Sequence, residues 1–404
     1  MKIEFQRRVD RVLGKLVCRV LSVFHRKGRT PPGLKRVPKR ILIILLSEMG
    51  SLVLAHPMFL HLKRKFPGVS LHVLLFERNR ECLELLRAIP SENVLSINDK
   101  SLSAFVGSSL VALVGVRRRR FDAVIDCELF ARISSLFSVL SGAPVRVGFH
   151  PYTQEGLYRG DFINRPVLYN PYHHISRQFL TLADAIDSTT VPTAKRRVEA
   201  EPPQAPAIDF GRQETEAMRK RLADDFPQVQ GRELVLIYPG GGILPIRAWP
   251  LDHYCRLARE LVSRGYAVGI IGLAEDRSLA ARILASCADG GCIDLTGYTK
   301  SIRELMILFG FASLLITNDG GPVHFASMRS LPTVALFGPE TPVLYGSLDR
   351  QAVNLFLGIS CSPCLTAYNH RNSPCDGDNA CLKGIPPEEV LEKALEILAT
   401  RRAG

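Results

Sequence analysis

No GxGxxG signature occurs anywhere in the 404 residues. The glycine turn that seats a dinucleotide is therefore missing, and hydride transfer on such a fold is not supported. An unbroken apolar span of bilayer length is missing too: residues 41–60 come nearest, but Glu48, Gly50 and Pro57 interrupt them, and Leu305 to Thr317 is too short. A charge near the bilayer centre costs several kcal/mol, so a buried strand running into a helix is the cheaper reading. No secretory signal is expected, because Asp10, Arg11, Lys15 and Arg19 break any continuous apolar core at the start. Aromatic residues are sparse at 7%, and the single tryptophan, Trp249, is expected to pack beneath a loop rather than stack on a base. Excess positive charge is lacking over most of the chain: of the net +13, residues 1–40 hold 13 Lys/Arg against 2 Asp/Glu. A nucleic-acid-binding surface would show its charge throughout, so no nucleic-acid partner is expected.

What is present is 46% apolar content, ample for real cores, and a length that favours two or three domains. Six of the ten cysteines, Cys18, Cys82, Cys127, Cys255, Cys287 and Cys292, are scattered through apolar segments as reduced core residues often are. A cytoplasmic fold is the natural expectation. In the basic arm, residues 1–37, Phe5, Val9, Val12, Leu13, Leu16, Val17, Val20, Leu21 and Phe24 keep helical spacing, with Arg7, Arg8, Arg11, Lys15, Arg19 and Arg26 between them. The pattern predicts a basic amphipathic helix suited to an anionic membrane surface, where each cation contributes about 1 kcal/mol. The alternative is a helix docked on the protein with its basic face in water.

Beyond the arm, short apolar runs alternate with amphipathic ones. Strands are expected near 41–46, 71–76, 93–97, 121–126 and 144–148, and helices near 52–65, 79–88, 101–116, 129–140 and 173–186. This places a parallel α/β domain at 38–190, followed by a proline-rich linker of mixed charge at 191–207. The alternation restarts with "ELVLIYPGGG", a helix from Leu251 to Arg264, "AVGIIGLAEDR", a helix near 277–287, "CIDLTGY", a helix from Ser301 to Phe311, "SLLITNDGGPVHFAS" and "LPTVALFGPETP". A second domain therefore spans 208–360, and residues 361–404 form a cysteine-rich segment with a closing helix from Pro387 to Thr400. The expected fold class is α/β, with two Rossmann-like doubly wound domains facing a cleft. In open parallel sheets ligands bind beyond the carboxyl ends of the strands, so loops directly after strands are the places to look.

Three such loops fall in the second domain. In "TNDGGPVHFAS" an apolar strand ends at Asn318-Asp319, Gly320 and Gly321 let the backbone turn, Pro322 suits a first helical turn, and His324 lies within it. N–H groups at a helix start beside a histidine suit a phosphate or diphosphate; the plainer alternative is a Gly-Pro turn with a capping Asp. In "PGGGILPIRAWP", Gly240, Gly241 and Gly242 allow close backbone approach, and Arg247 can grip phosphate oxygens. "GLAEDR" offers Glu275 and Asp276 as acceptors for ribose hydroxyls. Near the C-terminus, Cys361, Cys364, Cys375 and Cys381, with His370 among them, resemble a zinc knuckle, although the second pair is spaced by five residues instead of two. A structural zinc competes here with free thiols or disulfides.

The stretches "ILIILLSEMGS", "FDAVIDC", "RVGF", "RAWP", "LTGYTKSIREL", "TNDGGPVHFA" and "VALFGPETP", in that order over roughly residues 40–350, resemble the bacterial ADP-heptose:lipopolysaccharide heptosyltransferases, glycosyltransferase family 9. The resemblance implies a B-type glycosyltransferase fold, an inverting and metal-independent reaction needing no catalytic cofactor, a donor held in the C-terminal domain and an acceptor facing the N-terminal one. By the resemblance, Arg247 stands for a phosphate-binding lysine, Asp319-Gly320-Gly321 for an Asp-Thr-Gly donor turn, His324 for that turn's histidine, and Asp276 for a ribose-binding glutamate that Glu275 could replace. Ser51 and Asp126 fall on the acceptor side. The family commonly places an Asp, taken as catalytic base, where this chain has Ser51. Glu48, three residues earlier, is the simplest relocated base; the competing reading is a carboxylate that only caps the following helix, where it also favours the N-terminal dipole.

The activity expected from this resemblance is transfer of a sugar, most simply heptose from ADP-heptose, to a lipid-linked glycan of lipopolysaccharide type. The enzyme would sit peripherally on the cytoplasmic face of the inner membrane, held by its arm. A catalytically silent module that binds sugar nucleotides or glycolipids is the alternative raised by Ser51.

Overall fold

Ile41, Leu42, Ile43 and Ile44 are all fully buried. A strand reaches that state only when both faces of its sheet are covered, as in parallel sheets flanked by helices. The computed structural model describes residues 10–24, 36–46, 48–129, 131–150, 158–197, 203–242, 244–287, 290–367 and 372–403. They form two compact units, one within Met1–Pro203 and Ala367–Arg371, the other within Gln204–Thr366 and Asn372–Gly404. Each is an α/β layer structure around a parallel sheet.

The first unit runs α1 (Lys15–Phe24), β1 (Arg40–Ile44), α2 (Met49–Lys65), β2 (Ser70–Phe76), α3 (Arg80–Leu85), β3 (Val94–Ile97), α4 (Leu102–Arg119), β4 (Ala123–Asp126), α5 (Arg132–Leu140), β5 (Val145–His150), β6 (Arg165–Leu168) and α6 (Ile175–Asp184). Its six-stranded sheet has the order β3-β2-β1-β4-β5-β6, with every neighbouring pair parallel. The strand order therefore reverses between β1 and β4. On one face of this sheet Leu42, Ile44, Leu74 and Val124 pack with Ala112 and Val116 of α4 and Phe137 of α5. β6 was not expected: its RPVL sequence sets Arg165 and Pro166 where an apolar run would mark a strand, and Pro166 is tolerated because β6 is an edge strand. α2 starts at Met49 and runs through Pro57 without ending there.

The helical turn Asp10–Gly14, which leads into α1, docks on α5 through the one acid of the described arm. Asp10 Oδ1 accepts from the N–H groups of Arg132 (2.9 Å) and Ile133 (3.3 Å), and Asp10 Oδ2 lies 3.1 Å from Arg132 Nη1. A carboxylate at a helix N-terminus satisfies donors that have no partner within the helix. Cys18 is buried against Val139 and Phe162, while Lys15, Leu16, Val17, Arg19 and Val20 are exposed. Phe5, Arg7, Arg8, Val9 and Arg26 of the expected helix lie outside the described residues.

α2 and α6 are joined by charge. Asp184 Oδ1 lies 2.7 Å from His61 Nε2 and 3.0 Å from Lys65 Nζ, and Arg196 contacts its other oxygen. Burial raises the Asp184 carboxyl, but the hydrogen bonds from His61 and Lys65 outweigh it and bring the pKa from 3.8 down to about 2. A folded pKa below the unfolded one means the unfolded chain binds the proton more tightly. The stabilisation is complete above about pH 4 and is lost as pH falls toward 2. Asp184→Asn should therefore lower stability at pH 7 by on the order of 2 kcal/mol and flatten the acid limb of a denaturation curve between pH 4 and pH 2. Urea titrations at the two pH values check this; an unchanged pH dependence would remove Asp184 from the account.

The second unit runs α7 (Arg212–Asp225), β7 (Leu234–Tyr238), α8 (Leu251–Ser263), β8 (Ala267–Gly272), α9 (Arg277–Ala285), β9 (Cys292–Thr296), α10 (Ile302–Phe309), β10 (Ala312–Asn318), α11 (Gly321–Ser327), β11 (Thr333–Phe337), β12 (Val353–Phe356) and α12 (Pro387–Ala403), with single helical turns between some of them. Its sheet order, β12-β11-β10-β7-β8-β9, is again parallel throughout and reverses between β7 and β10. One core joins Val235, Ile237, Val268, Leu314, Ile316 and Leu336 of the sheet to Leu257 and Leu261 of α8 and to Val390, Ala394 and Leu398 of α12. α7 escaped the sequence reading because only Met218 on it is buried, so no apolar stripe marks it.

Candidate active site

The loops after β7 and β10 leave the second sheet at its reversal point, where doubly wound folds hold their ligands. Asn318, the last residue of β10, organises both. Its Nδ2 donates to the carbonyls of Pro239 (3.2 Å) and Gly240 (3.0 Å), and its Oδ1 accepts from Trp249 N (2.9 Å) and the Tyr254 hydroxyl (2.9 Å). One buried amide thus ties the glycine loop to the segment carrying Arg247. At Gly241 a Cβ would stand 2.8 Å from both the Cα and the carbonyl oxygen of Pro245, a backbone clash with no side chain to give way. Trp249 is buried, donates to the Ile385 carbonyl (3.0 Å) and meets Tyr254 edge-on, so it packs under the loop as expected.

Arg247 ends a tight turn, Pro245–Arg247, and its guanidinium is largely buried. Nε lies 3.4 Å from Asp319 Oδ2, and Nη2 donates to Glu340 Oε1 at 2.8 Å. Side-chain exposure is 13% for Arg247, 7% for Asp319 and 1% for Glu340. At such burial the charges must be matched, because an uncompensated one costs several kcal/mol. Two carboxylates on two different loops also fix the plane of the guanidinium, so little side-chain freedom remains to be lost when an anion arrives. Glu340 was not singled out from the sequence, although it lies three residues beyond β11 in "FGPE" and satisfies the same strand-end rule that selected the other loops.

Asp319 faces Arg247, and the N-cap position of α11 is Gly320. Gly321 and Pro322 open that seven-residue helix, and His324 is buried within it. After β8, Asp276 Oδ2 accepts from Leu273 N at 2.8 Å and so closes its own turn, while Glu275 is exposed. Both carboxylates act on Tyr238 at the end of β7: burial, then Asp276, then Glu275 push its hydroxyl up to about 12.

In the first unit the loops after β1 and β4 occupy the corresponding reversal point. Glu48 is half-buried at the N-cap position of α2, with extended backbone and no capping bond from its side chain; Ser51 Oγ lies 3.5 Å from its Oε2. Asp126 is fully buried at the end of β4, where it pairs with Arg159 and accepts from Glu128 N (3.1 Å) and Ser134 Oγ (3.3 Å). Burial pushes its carboxyl up, against the pull of Arg159 and these donors. Glu128, another carboxylate the sequence reading passed over, is 5% exposed and accepts from Leu46 N at 2.7 Å. Asp126 and Glu128 thereby fix the ends of β4 and β1 beside Glu48.

The expected zinc knuckle is not supported. Among the described residues no group of three or more His, Cys, Asp or Glu could hold a metal ion. Cys361 and Cys375 are exposed, Cys364 is half-buried, and Cys381 is buried against Gly338 and Leu382. His370 lies outside the described residues. The segment instead braces the site. The Cys364 and Leu365 N–H groups donate to the Pro339 carbonyl (3.0 and 2.8 Å), next to Glu340, and Asn379 Nδ2 donates to the Ile246 carbonyl (2.8 Å), next to Arg247. Of the six scattered cysteines, Cys18, Cys82, Cys127 and Cys292 are buried, whereas Cys255 and Cys287 are half-buried.

The family model for glycosyltransferase family 9 (heptosyltransferase) matches residues 113–373. Lipopolysaccharide heptosyltransferase 2 of Salmonella typhimurium is 26% identical over 377 residues, covering 89% of this chain and 99% of that relative. Lipopolysaccharide heptosyltransferase 2 of Escherichia coli is 26% identical over 381 residues, covering 90% of this chain and 100% of that one. Among solved structures, the E. coli ADP-heptose lps heptosyltransferase II superposes with a TM-score of 0.70 at 22% identity, covering 90% of this chain and 99% of its own. An E. coli heptosyltransferase with ADP-2-deoxy-2-fluoro heptose gives 0.59 at 16% identity, covering 88% and 99%. At these identities the structural likeness speaks for the fold.

Proposed function

The chain belongs to glycosyltransferase family 9 (heptosyltransferase), and from that premise we propose that it moves a heptose from ADP-heptose to a lipopolysaccharide-type or other lipid-linked glycan, inverting the anomeric centre without a catalytic metal. The observation that carries the reading is Arg247, held by Asp319 and Glu340 beside the Gly240-Gly241 loop at the reversal point of the second sheet. The names of the relatives, and the nucleotide heptose in one solved structure, support heptose as the sugar.

An acceptor hydroxyl attacks the anomeric carbon from the face opposite the diphosphate. The new C–O bond forms as the bond to the diphosphate oxygen breaks. The proton passes to Glu48, and the charge gathering on the leaving ADP is met by Arg247, His324 and the Asp319-Gly320-Gly321 turn. With no cation assigned to the reaction, such preorganised donors carry the stabilisation. Glu275 takes the ribose hydroxyls, since Asp276 is engaged with Leu273 N. Ser51 and the Asp126-braced loop line the acceptor side. The enzyme works at the cytoplasmic face of the inner membrane, reached through its basic arm; among the described residues no helix is long and apolar enough to cross a membrane.

A thermal-shift panel tests the donor. A ligand that binds only the folded state at a hundred times its Kd adds about 2.7 kcal/mol. ADP-heptose should therefore raise the melting point of the full chain by several degrees, and more than GDP- or UDP-sugars do. A flat response to every nucleotide sugar would overturn the proposal.

A further inference from the structure

α4 does not look like a surface helix of a soluble protein. From Leu102 to Val116 it contains no charged residue. Its inner side enters the core through Phe105, Ala112, Leu113 and Val116. Its outer side carries Leu102, Val106, Leu110, Val111 and Val114, which are between 49% and 74% exposed. Residues spaced by three and four share a helix face, so these five make one aliphatic stripe more than three turns long. Scattered exposed aliphatics need no explanation, but a contiguous uncharged stripe marks a surface that something covers.

The ends of the stripe indicate what covers it. The helix stops in a run of four arginines, of which Arg117, Arg118 and Arg120 are exposed, and residues 102–120 contain no acid. Arg117 Nη1 donates to the carbonyl of Leu140 (3.1 Å), the last residue of α5, and α4 packs on α5. α1 packs on α5 as well, exposing Leu16, Val17 and Val20 together with Lys15 and Arg19. Two helices on a shared support thus present aliphatic side chains and cations to solvent. A protein partner is usually met by aromatic anchors within a hydrogen-bonding rim; this surface offers aliphatic carbon, one serine (Ser103) and arginine, the pairing that inserts among acyl chains while cations contact anionic headgroups.

We propose that the outer face of α4, with Arg117, Arg118 and Arg120, is a docking surface for an anionic lipid bilayer, distinct from the N-terminal arm. The inference goes beyond the transfer reaction and does not depend on it, because lipid binding is read without donor or acceptor.

The full chain is sedimented with vesicles of phosphatidylethanolamine and phosphatidylglycerol, and separately with phosphatidylcholine vesicles. Wild type should partition onto the anionic vesicles and release as salt is raised. Leu110→Asp with Val114→Asp should reduce the bound fraction about tenfold or more, because charge is placed on the face that inserts. Arg118→Ser with Arg120→Asn should reduce it about threefold to tenfold, on anionic vesicles only. Both variants should keep the melting point and the nucleotide-sugar response of wild type, which separates a lost surface from a lost fold and from a wrong donor. Binding by the aspartate variant equal to that of wild type, or no binding by wild type, would overturn the proposal. So would a solution dimer of wild type that the aspartate variant dissociates while vesicle binding persists, which would assign the stripe to a second copy of the chain.

Discussion

Arg247→Ala should lower kcat/KM for heptosyl transfer by about a hundredfold to a thousandfold, the usual loss when one preorganised donor to a developing oxyanion is removed. It should also destabilise the second unit. Asp319 and Glu340, 7% and 1% exposed, would keep their charges and lose their cation. Breaking a buried ion pair from one side typically costs about 3–5 kcal/mol, which lowers a domain of this size by roughly 10 °C. The two effects separate. Arg247→Lys keeps the charge but cannot present a planar fork to two carboxylates, so it should regain most of the melting temperature and remain about tenfold impaired in transfer. Arg247→Met with Glu340→Gln removes the more deeply buried of the two carboxylate charges along with its cation; part of the stability should return and none of the activity. Calorimetry and initial rates on this set read both quantities. A wild-type melting curve for Arg247→Ala would show that the ion pairs hold nothing, and a wild-type rate would place the diphosphate elsewhere.

Glu48→Gln should reduce kcat by about 10²–10⁴, the range expected when a positioned base is lost, while affinity for the nucleotide sugar stays within about twofold. The substitution is nearly isosteric. The amide keeps the oxygen that Ser51 Oγ approaches, so stability should change little. The separation of kcat from donor affinity is the informative readout, because a carboxylate that only supported the helix would leave both untouched. Ser51→Asp in the Glu48→Gln background supplies a carboxylate at the position where family members commonly carry one, and should recover part of the rate. If wild type binds ADP-heptose and transfers nothing to any glycolipid acceptor, the chain is a binding module and the role given to Glu48 falls.

Much of the architecture could be read from the residues because the information is local. Continuous runs such as "ILIILL" and "SLLIT" are strands buried on both faces, and glycines directly after strands mark the loops that carry a site. The elements that escaped had no local signature: Arg165 and Pro166 break the apolar run of β6, Asn354 breaks that of β12, and the outward face of α7 leaves it almost no apolar period. The loops holding Arg247 and Asp319 were visible for the same local reason. What joins them was not. Glu340 stands 93 residues from Arg247 and Asn318 stands 69 from Trp249 along the chain, and no spacing rule links partners so far apart. The cysteine spacing gives the interval between thiols and not their burial, and Cys381 is buried while Cys361 and Cys375 are exposed.

The place of α12 bears on how the chain is made. The first sheet closes with β6 at Leu168, so that unit has all its strands before the second sheet begins at Leu234. The second core, however, includes Val390, Ala394 and Leu398, and Arg401 donates to the carbonyls of Ala312 and Ser313 at the start of β10. During synthesis the first unit can complete its sheet while the second waits, its core covered by α8 but not by α12, until residues 387–403 leave the ribosome. Contacts this distant in sequence slow folding and leave apolar surface open to association in the interval. A ribosome stalled shortly before α12 would thus release a chain prone to association, and it would do so with the strands that lead into the Arg247 and Asp319 loops already made.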